Sequence, residues 1–459
     1  MYANDGEFWE SSDRLRFIRD TARHERTAPW AVLLGVLARV AVVTPPNVVT
    51  PAFVGSRYGS LNTFVSFVGA SSDGKGLAVG TARRLIPDDL GAVDTLPVSG
   101  EGLATMFAKR EQIDGKDGEE RRSELRCANM RALLDVPEVS TLGAAMGRSG
   151  STLLGTLTSL WSGEAIGGQN VNELKRLRVF EYTYRIGLIV GTQPGNSDML
   201  TREDTTGLPQ RFLWASTRDA EAPDRAPAAP AGTLGFDAAR LAAMQPDVFT
   251  MNGLYQKGGY WKYLGEDGNP MYPLYVLTYP QTVAGEVDAD AVNRLRGTRP
   301  AGMDGHSLFA TIKTAGLLAI LEQREGHELD VTEDDWQRAK YIVAKSCAVR
   351  EACISEGRAV RRGKRRDAIT DDLVAKGEAE EIAAQEKAER YMQRVENQLR
   401  RHDKGREGIT GTKLKQMIAG LAEDVYPAIE RMFEDGRLEK VGPTRDSTKS
   451  QLWALADGV

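Results

Sequence analysis

A strand, a glycine-rich turn and a helix follow one another from Asn62 onward, and their spacing constrains the fold more than any other feature of the sequence. The apolar run TFVSFV enters the turn GASSDGKG, and the stretch GLAVGTARRLI, typical of a helix, follows. Two glycines would let backbone amides wrap around phosphate oxygens, and the helix N-terminus adds its positive dipole end. Gly69-x-x-x-x-Gly74-Lys75 is the spacing of a phosphate-binding P-loop, whose lysine reaches the β- and γ-phosphates.

Position 76 departs from that pattern, because a P-loop carries serine or threonine there as a magnesium ligand and this chain carries glycine. Ser71, Ser72 or Asp73 could replace the missing hydroxyl. Magnesium could instead be held by Asp135, water and nucleotide oxygens, since it readily keeps several waters. A glycine-rich turn with a solvated lysine is the competing interpretation of the whole motif.

Two carboxylates follow a second apolar run, about 60 residues after the loop. The sequence from Arg131 to Asp135, RALLD, predicts a strand with Asp135 at its end, where it would bind magnesium directly or through water. Glu138 is placed to position or polarise the attacking water. A surface turn with two solvated carboxylates is the alternative, and the upstream loop favours the catalytic interpretation.

Polar residues also follow the β-rich run Thr183 to Val190. In open α/β folds ligands bind at the carboxyl ends of the strands, so Thr192 or Gln193 could sense a γ-phosphate or orient water. Equally, they could only cap the turn before Pro194. Arg211 opens a further apolar strand and could complete the site of a neighbouring subunit; a surface salt bridge is the competing interpretation.

Further motifs occur in an order that resembles a known family. They are SGEGL (99–103), DVPEV (135–139), RSGSTL (148–153), LWSGE (160–164), YRIGLIVGTQPG (184–195), GLPQRFLW (207–214), IKTAGLLAIL (312–321) and VTEDDW (331–336). With the glycine-rich loop they resemble the helicase-type ATPase region of actinobacterial and phage bifunctional DNA primase/polymerase proteins, over roughly residues 25 to 355. The resemblance implies a P-loop NTPase core related to RecA-like and AAA+ replicative helicases, working as a homo-oligomeric ring such as a hexamer.

The resemblance also implies ATP and Mg²⁺ as cofactors, and it places Lys75, Glu138, Gln193 and Arg211 at the family's motif positions. Nucleotide contacts are expected from Gly69, Ser71, Ser72, Asp73, Gly74, Lys75, Gly76 and Thr192. Lys-Gly in the loop is similar to the actinobacterial branch, so Gly76 need not abolish activity. Such proteins often carry an N-terminal primase/polymerase module, whereas 68 residues precede Gly69 here; priming would then need a separate primase or polymerase.

Composition divides the chain into five predicted segments. These are an N-terminal helical segment (1–46), a P-loop ATPase core (47–222), an embellishment with a helical lid (223–356), a charged helical linker (357–406) and a winged-helix domain (407–459). Strands alternating with helices predict an α/β core with a mostly parallel sheet and helices on both faces. Within it, the charged stretch Gln112 to Ser123 predicts an exposed loop. Two short helices and a hairpin of Leu438–Val441 with Gln451–Ala454 predict the winged helix, which would bind DNA or protein.

Basic residues suited to nucleic acid occur in local clusters, although the net charge of the chain is −5. The candidates for DNA contact are Lys175, Arg176 and Arg178, in a loop that could line a ring's pore, and Arg361, Arg362 and Arg365, after the ATPase-like region. Such clusters neutralise phosphates without sequence preference. Solvated helix faces, balanced by neighbouring glutamates, are the competing interpretation.

Other features exclude some classes of protein. The longest apolar run, Trp30 to Val43, contains Arg39 and is too short to span a bilayer, and the polar N-terminus is not a secretory signal. Three cysteines without disulfide spacing are typical of a reducing cytoplasm, and four scattered histidines do not suggest zinc.

The sequence therefore favours an ATP-driven DNA helicase or translocase of phage or plasmid-type replication that acts on single-stranded DNA. A replication initiator or helicase loader that uses ATP as an assembly switch, without unwinding, is the alternative. An ATPase of a mobile-element defence or partition system is a further one.

Overall fold

The computed structural model describes residues 2–88, 91–94, 99–113, 122–168, 176–201, 207–262, 264–298 and 305–458. The chain divides into two compact units, Met1–Arg361 and Arg362–Val459. No helix in these described ranges is both long enough and apolar enough to cross a membrane.

Helices and strands alternate along the first unit. Its helices are α1 (Asp5–Glu10), α2 (Asp13–His24), α3 (Pro29–Val43), α4 (Lys75–Leu85), α5 (Gly100–Phe107), α6 (Val139–Met146), α7 (Leu153–Ser162), α8 (Asp198–Thr201), α9 (Val248–Gln256), α10 (Gln281–Leu295), α11 (Ser307–Glu322) and the first part of α12 (Glu333–His402). Its strands are β1 (Val48–Thr50), β2 (Gly59–Ser60), β3 (Thr63–Val68), β4 (Ala108–Ile113), β5 (Arg122–Cys127), β6 (Arg131–Val136), β7 (Ile166–Gly167), β8 (Arg178–Val179), β9 (Arg185–Thr192), β10 (Phe212–Ser216) and β11 (Tyr275–Val276). Short 3-10 helices lie at Pro194–Asn196, Pro209–Arg211 and Ala238–Met244.

Parallel strands form the central sheet of the first unit, in the order β10-β3-β9-β6. Phe64 of β3 pairs with Leu188 of β9 and Phe212 of β10, and Asp135 of β6 pairs with Ile189 of β9. β3 and β9 are buried along almost their whole length. This burial explains their continuous apolar sequences, because the strands of a parallel sheet are covered on both faces. The prediction of an α/β fold with a parallel sheet is confirmed.

Helix α3 packs against this sheet and against α4. Every residue of α3 except Trp30 is buried, as expected for a helix that is apolar all round. A Cβ on Gly35 would lie 2.8 Å from Ala82 Cβ of α4 and 3.4 Å from the Phe67 ring of β3. Glycine at this position therefore lets α3 approach both elements closely. The guanidinium of Arg39 donates to carbonyl oxygens that follow α4 and so caps the end of that helix.

A second buried arginine fastens the amino-terminal end of the sheet. Arg185 opens β9, and its guanidinium donates to the carbonyl oxygens of Thr44, Pro45 and Val48 at 3.3, 2.8 and 2.6 Å. Burial lowers the pKa of Arg185 to about 9. The arginine therefore stays charged at neutral pH, and backbone carbonyls replace the water that it has lost.

Two antiparallel hairpins lie outside the central sheet: β4 pairs with β5, and β7 pairs with β8. The prediction of a loop from Gln112 to Ser123 is wrong at both ends, because β4 extends to Ile113 and β5 begins at Arg122. The strands are charged and mostly half-exposed, since they pair with each other at the surface and are not covered on both faces. Residues 114–121 lie outside the described part of the chain.

The long helix α12 begins with reciprocal side-chain caps. The amide of Asp335 donates to Thr332 Oγ1 at 3.2 Å, and the amide of Thr332 donates to Asp335 Oδ2 at 3.0 Å. This reciprocal pair is the geometry of a capping box. α12 then continues without a break to His402.

The second unit has its own small core. It contains the later part of α12, α13 (Gly411–Met417), α14 (Ala422–Glu434), and a three-stranded antiparallel sheet in the order β12-β14-β13. The strands are β12 (Ile409–Thr410), β13 (Leu438–Val441) and β14 (Leu452–Leu455). The buried ring of Trp453 lies in this core, with apolar side chains of α12, α13 and α14 around it.

Candidate functional site

The glycine-rich loop leaves the carboxyl end of β3 and is held by both neighbouring strands. The Gly69 amide donates to Thr192 O at 3.1 Å, and the Thr217 amide, just after β10, donates to Val68 O at 2.9 Å. A Cβ on Gly69 would lie 2.1 Å from Thr217 Oγ1, so a larger residue does not fit there. The loop therefore starts from a fixed position at the edge of the sheet.

The loop then turns twice through left-handed backbone conformations, at Ser72 (φ 70°) and Gly74 (φ 79°). This conformation is uncommon for a residue with a Cβ, so Ser72 carries backbone strain. Left-handed residues alternating with others aim successive amides into one concavity, which suits an anion. Gly74 precedes α4 without capping it by a side chain, so the helix N-terminus opens onto the same place.

A loop carboxylate, Asp73, pairs with Arg218 outside the loop and fixes the loop's shape. Asp73 Oδ2 accepts from the Ala70 amide at 2.9 Å and from Arg218 Nε at 3.1 Å. These hydrogen bonds, led by that from Ala70, lower the pKa of Asp73. Among the loop side chains expected to contact nucleotide or metal, Asp73 is therefore engaged in holding the loop. Ser71 is exposed beside it.

Three side chains predicted to be catalytic meet below the loop. Lys75 Nζ donates to Ala70 O at 2.8 Å and Gly69 O at 3.2 Å, and it lies 3.8 Å from Glu138 Oε1. Gln193 Nε2 donates to both Glu138 oxygens, at 3.1 and 3.0 Å. Glu138 is therefore held between a cation and an amide, although β6, β9 and the loop come from distant parts of the chain.

Lys75 and Glu138 border a cavity of about 380 Å³. Ser72, Gly74, Lys75 and Gly76 line it on the loop side, and the opposite wall includes Asp135, Pro137, Glu138 and Gly191. Apolar side chains of the sheet and of α4 form the rest: Phe67, Val79 and Ile189. The cavity is within the size range of ligand sites, and its few polar groups converge on one side, as in such sites.

Gly191 is a functional position that the sequence analysis did not single out. A Cβ there would lie 2.0 Å from Pro137 O and 3.2 Å from Lys75 Cδ. Any side chain at position 191 would therefore push β6 away from β9 or displace Lys75. The signal in the sequence was a glycine two residues before Gln193, inside an otherwise apolar strand, where glycine often marks close backbone approach.

Thr192 and Gln193 have different surroundings. Thr192 is fully buried, and its hydroxyl lies 2.8 Å from Ser66 Oγ of β3. It does not line the cavity, whereas Gln193 contacts Glu138. The structure thus brings Gln193, and not the Thr192 hydroxyl, to the group of charged residues below the loop.

Asp135 faces the cavity from β6, open to solvent on one side. Partial burial against the cavity wall raises the pKa of its carboxyl group. While it is ionised, its charge opposes folding, and this cost disappears as the pH falls through the raised pKa toward the ordinary value of about 3.9.

We therefore expect Asp135→Asn to raise the melting temperature slightly at neutral pH, with a gain that shrinks as the pH is lowered toward about 4. Calorimetry across this pH range checks the prediction, with Asp224→Asn as a control at an exposed aspartate. A lower melting temperature for Asp135→Asn at neutral pH would show that the carboxylate makes a favourable native contact instead.

Arg211 lies at the opposite end of the sheet from the loop. It directly precedes β10, whose first residue pairs with Phe64 near the start of β3, whereas the loop follows the end of β3. The Arg211 guanidinium is centred 5.5 Å from the Trp161 ring, and burial lowers its pKa. Within one chain, Arg211 therefore does not reach the cavity.

The residues predicted to contact DNA are spread over two surfaces. Arg176 and Arg178 are exposed at the β7–β8 hairpin, and Lys175 lies outside the described residues. Arg361 is on α12 and lies 3.5 Å from Asp198. Arg362 and Arg365 are exposed further along the same helix, in the second unit.

The sequence matches no protein-family model and no curated protein.

Proposed function

We propose that this chain is an ATP-driven motor on single-stranded DNA, a helicase or translocase of phage or plasmid-type replication. The observation that carries the proposal is the placing of the Glu138 carboxylate, 3.8 Å from Lys75 Nζ and 3.0 Å from Gln193 Nε2, below a glycine-rich loop at the carboxyl edge of a parallel sheet. A phosphate-binding group, a general base and a polar sensor at one cavity are what nucleotide hydrolysis requires.

The loop and Lys75 would bind the phosphates. Loop amides and the N-terminus of α4 would surround the β-phosphate. Lys75 already points its ammonium group toward Gly69 O and Ala70 O, and it would exchange these neutral acceptors for charged phosphate oxygens, which bind it more strongly.

Glu138 would act as the general base that takes the proton of the attacking water. Gln193 donates to both of its oxygens, so the carboxylate is oriented before substrate arrives, and Gln193 can respond to the γ-phosphate beside it. A carboxylate held in this way can accept a proton from water within hydrogen-bond reach.

Asp135 is suited to bind a magnesium ion. It is a carboxylate at the cavity wall, and no hydrogen bond or ion pair to a cationic side chain is described for it. Magnesium bound there, directly or through water, would neutralise charge on the phosphates. Gly76 supplies no side-chain oxygen, so Asp135, Ser72 and water would form the ligand set on the protein side.

We also propose a specific type of core, a winged helix and a ring assembly. The strand order β10-β3-β9-β6 supports a P-loop NTPase core of the RecA-like or AAA+ kind, and two helices with a three-stranded sheet in the second unit support a winged helix. Arg211 lies away from the cavity of its own chain, which is consistent with a role at a neighbouring subunit's site in a ring. A separate primase or polymerase would supply primers.

Hydrolysis and strand displacement by the purified chain test the proposal. We expect ATP hydrolysis that single-stranded DNA stimulates, and displacement of a labelled strand from a tailed duplex. Stimulated hydrolysis without displacement would favour the helicase loader or initiator. Absence of hydrolysis in the wild type, equal to a Lys75→Ala control, would remove the catalytic interpretations altogether.

Gly76→Ser is expected to fold and to reduce the Mg²⁺ concentration needed for half-maximal hydrolysis several-fold. A Cβ at Gly76 meets nothing within 4 Å, and serine stabilises a helix by about 0.5 kcal/mol relative to glycine. Its hydroxyl would add the oxygen ligand that the loop lacks. A magnesium titration of the ATPase rate measures the effect.

Gly155→Ser is the matched control, because Gly155 is an exposed helical glycine, in α7, whose Cβ would also meet nothing within 4 Å. The control should share any gain in stability but not the change in magnesium dependence. An unchanged magnesium requirement in an active Gly76→Ser enzyme would place the metal away from the start of α4.

A further inference from the structure

A groove of about 960 Å³ lies between the two outer hairpins, β4–β5 and β7–β8, next to the end of α9. Among the described residues, its charged lining consists of Arg110, Arg122, Arg176 and Arg178 with the carboxylate of Glu124. In this described lining arginines therefore outnumber carboxylates by four to one, whereas the net charge of the whole chain is −5. The concentration of one charge indicates an anionic ligand.

One arginine joins the two hairpins. Arg110 Nε donates to Arg176 O at 2.9 Å, and its Nη1 donates to Ser123 O at 3.3 Å. Because Arg110 spans the strand β5 and the segment before β8, the two hairpins hold their arginines at a fixed spacing. A preorganised set of charges loses little conformational entropy when a ligand binds.

The other arginines are accessible. The Arg122 side chain is 67% exposed and pairs with Glu124 at 2.9 Å. Arg178 is exposed, with its guanidinium 5.3 Å from the centre of the Phe180 ring. Such stacking orients a guanidinium while its donors remain available at the edge.

We propose that this groove binds the sugar–phosphate backbone of single-stranded nucleic acid, and this inference rests on the proposed function. It adds Arg110 and Arg122, on the β4–β5 hairpin, to the residues already considered for DNA contact. The cationic side chains among the described lining residues are all arginine, whose planar fork matches phosphate oxygens in pairs. A phosphate backbone repeats one charge at each nucleotide, so a single strand offers several phosphates to a groove lined by several arginines.

The aromatic lining predicts how the strand is held. Phe180 and Tyr255 are 8% and 3% exposed, so neither offers an open ring face on which a base could stack. Binding would therefore come from phosphate contacts, with little preference for sequence and a steep dependence on salt.

Anisotropy titrations of the full chain with a fluorescein-labelled oligothymidylate, without nucleotide, test the groove. We expect the double variant Arg122→Gln/Arg178→Gln to bind about tenfold more weakly than wild type at low salt. The slope of log K against log salt concentration should become shallower by about 1.4, because each phosphate contact on a single strand contributes about 0.7. The control is Arg294→Gln/Arg296→Gln, at exposed arginines at the end of α10.

A second variant separates a role in binding from one in folding. Glu124→Gln removes the carboxylate that pairs with Arg122 and Arg126 and leaves the groove more positive. We expect it to bind the oligonucleotide several-fold more tightly with a steeper salt slope. A purely structural role of this cluster would instead weaken binding in every variant.

Three results would overturn the proposal. One is a double variant that binds as tightly as its control. Another is equal affinity of the wild type for a duplex of the same length. The third is competition by polyglutamate as strong as that by unlabelled oligonucleotide, which would assign the groove to an acidic protein segment. ATP hydrolysis without DNA does not depend on the groove, so normal basal hydrolysis with unchanged DNA affinity would leave the motor intact and reject the groove alone.

Discussion

Lys75→Ala is expected to weaken ATP binding by roughly 100-fold, or about 3 kcal/mol, and to abolish measurable hydrolysis. The ammonium group lies at the base of the loop, 2.8 Å from Ala70 O, where phosphate oxygens would replace the carbonyls. Its removal would leave the phosphate charges to be balanced by amides, the helix dipole and magnesium, without a cationic side chain in the loop. Titration with a fluorescent ATP analogue measures the loss.

Lys257→Ala, at an exposed lysine after α9, is the control and should bind the analogue like wild type. The two interpretations of Lys75 differ in what the alanine variant does. If Lys75 only stabilises the loop by hydrogen bonds to its carbonyl oxygens, the variant loses thermal stability and retains nucleotide binding. If it binds phosphate, nucleotide affinity falls and stability hardly changes. Unchanged affinity would therefore contradict the proposed nucleotide site.

Glu138→Gln is expected to retain ATP binding and to lower the hydrolysis rate by about 10³-fold, within the range assigned to a general base. Glutamine has nearly the same shape, and its amide can still hydrogen-bond to Gln193, so the fold and the loop are preserved. It cannot accept the proton of the attacking water. Single-turnover hydrolysis, measured beside the ATP titration, separates the chemical step from binding.

Glu266→Gln, at an exposed glutamate outside the cavity, should hydrolyse ATP at the wild-type rate. Trapping of ATP by the Glu138→Gln variant would identify this glutamate as the base and not as a binding residue. Hydrolysis within a few-fold of wild type would leave Glu138 as a structural partner of Gln193 and Lys75 and require another base.

The loop was predictable because its determinants are local. Glycines at 69 and 74, an apolar strand before them and a helix after them are all visible within a short window. The sequence could predict that Glu138 and Gln193 both lie at the carboxyl edge of the sheet. It could not predict their contact, since 55 residues separate them. Their contact depends on β9 lying between β3 and β6, which follows from strand order and not from any local pattern.

The choice between Thr192 and Gln193 shows where the sequence falls short. Successive side chains of a strand point to opposite faces, so only one of the two could reach the cavity. The register of β9 against β3, with Thr192 opposite Val68, buries the threonine next to Ser66. A shift of one residue in this register would bury Gln193 and turn Thr192 toward Glu138. The choice between them therefore required the register, which only the structure provides.

The incorrect prediction of a loop at the β4–β5 hairpin has a different physical cause. AKREQI and RSELRC lack the alternation of apolar and polar residues that indicates a strand. Each strand satisfies its backbone mainly through the other, and neither buries much apolar surface. Charged side chains are therefore compatible with strands there, which is also why they remain accessible to a ligand.

The packing of α3 has a consequence for the cooperativity of folding. Since α3 lies on the sheet and on α4 with no room for a side chain at Gly35, the segment before residue 47 and the glycine-rich loop share one core. Loss of α3 would uncover the face of β3 that carries Phe67 and remove the surface on which α4 rests. The helices before residue 47 are therefore part of the structure that supports the loop. We expect that a fragment limited to residues 47–222 would not keep the loop in this conformation.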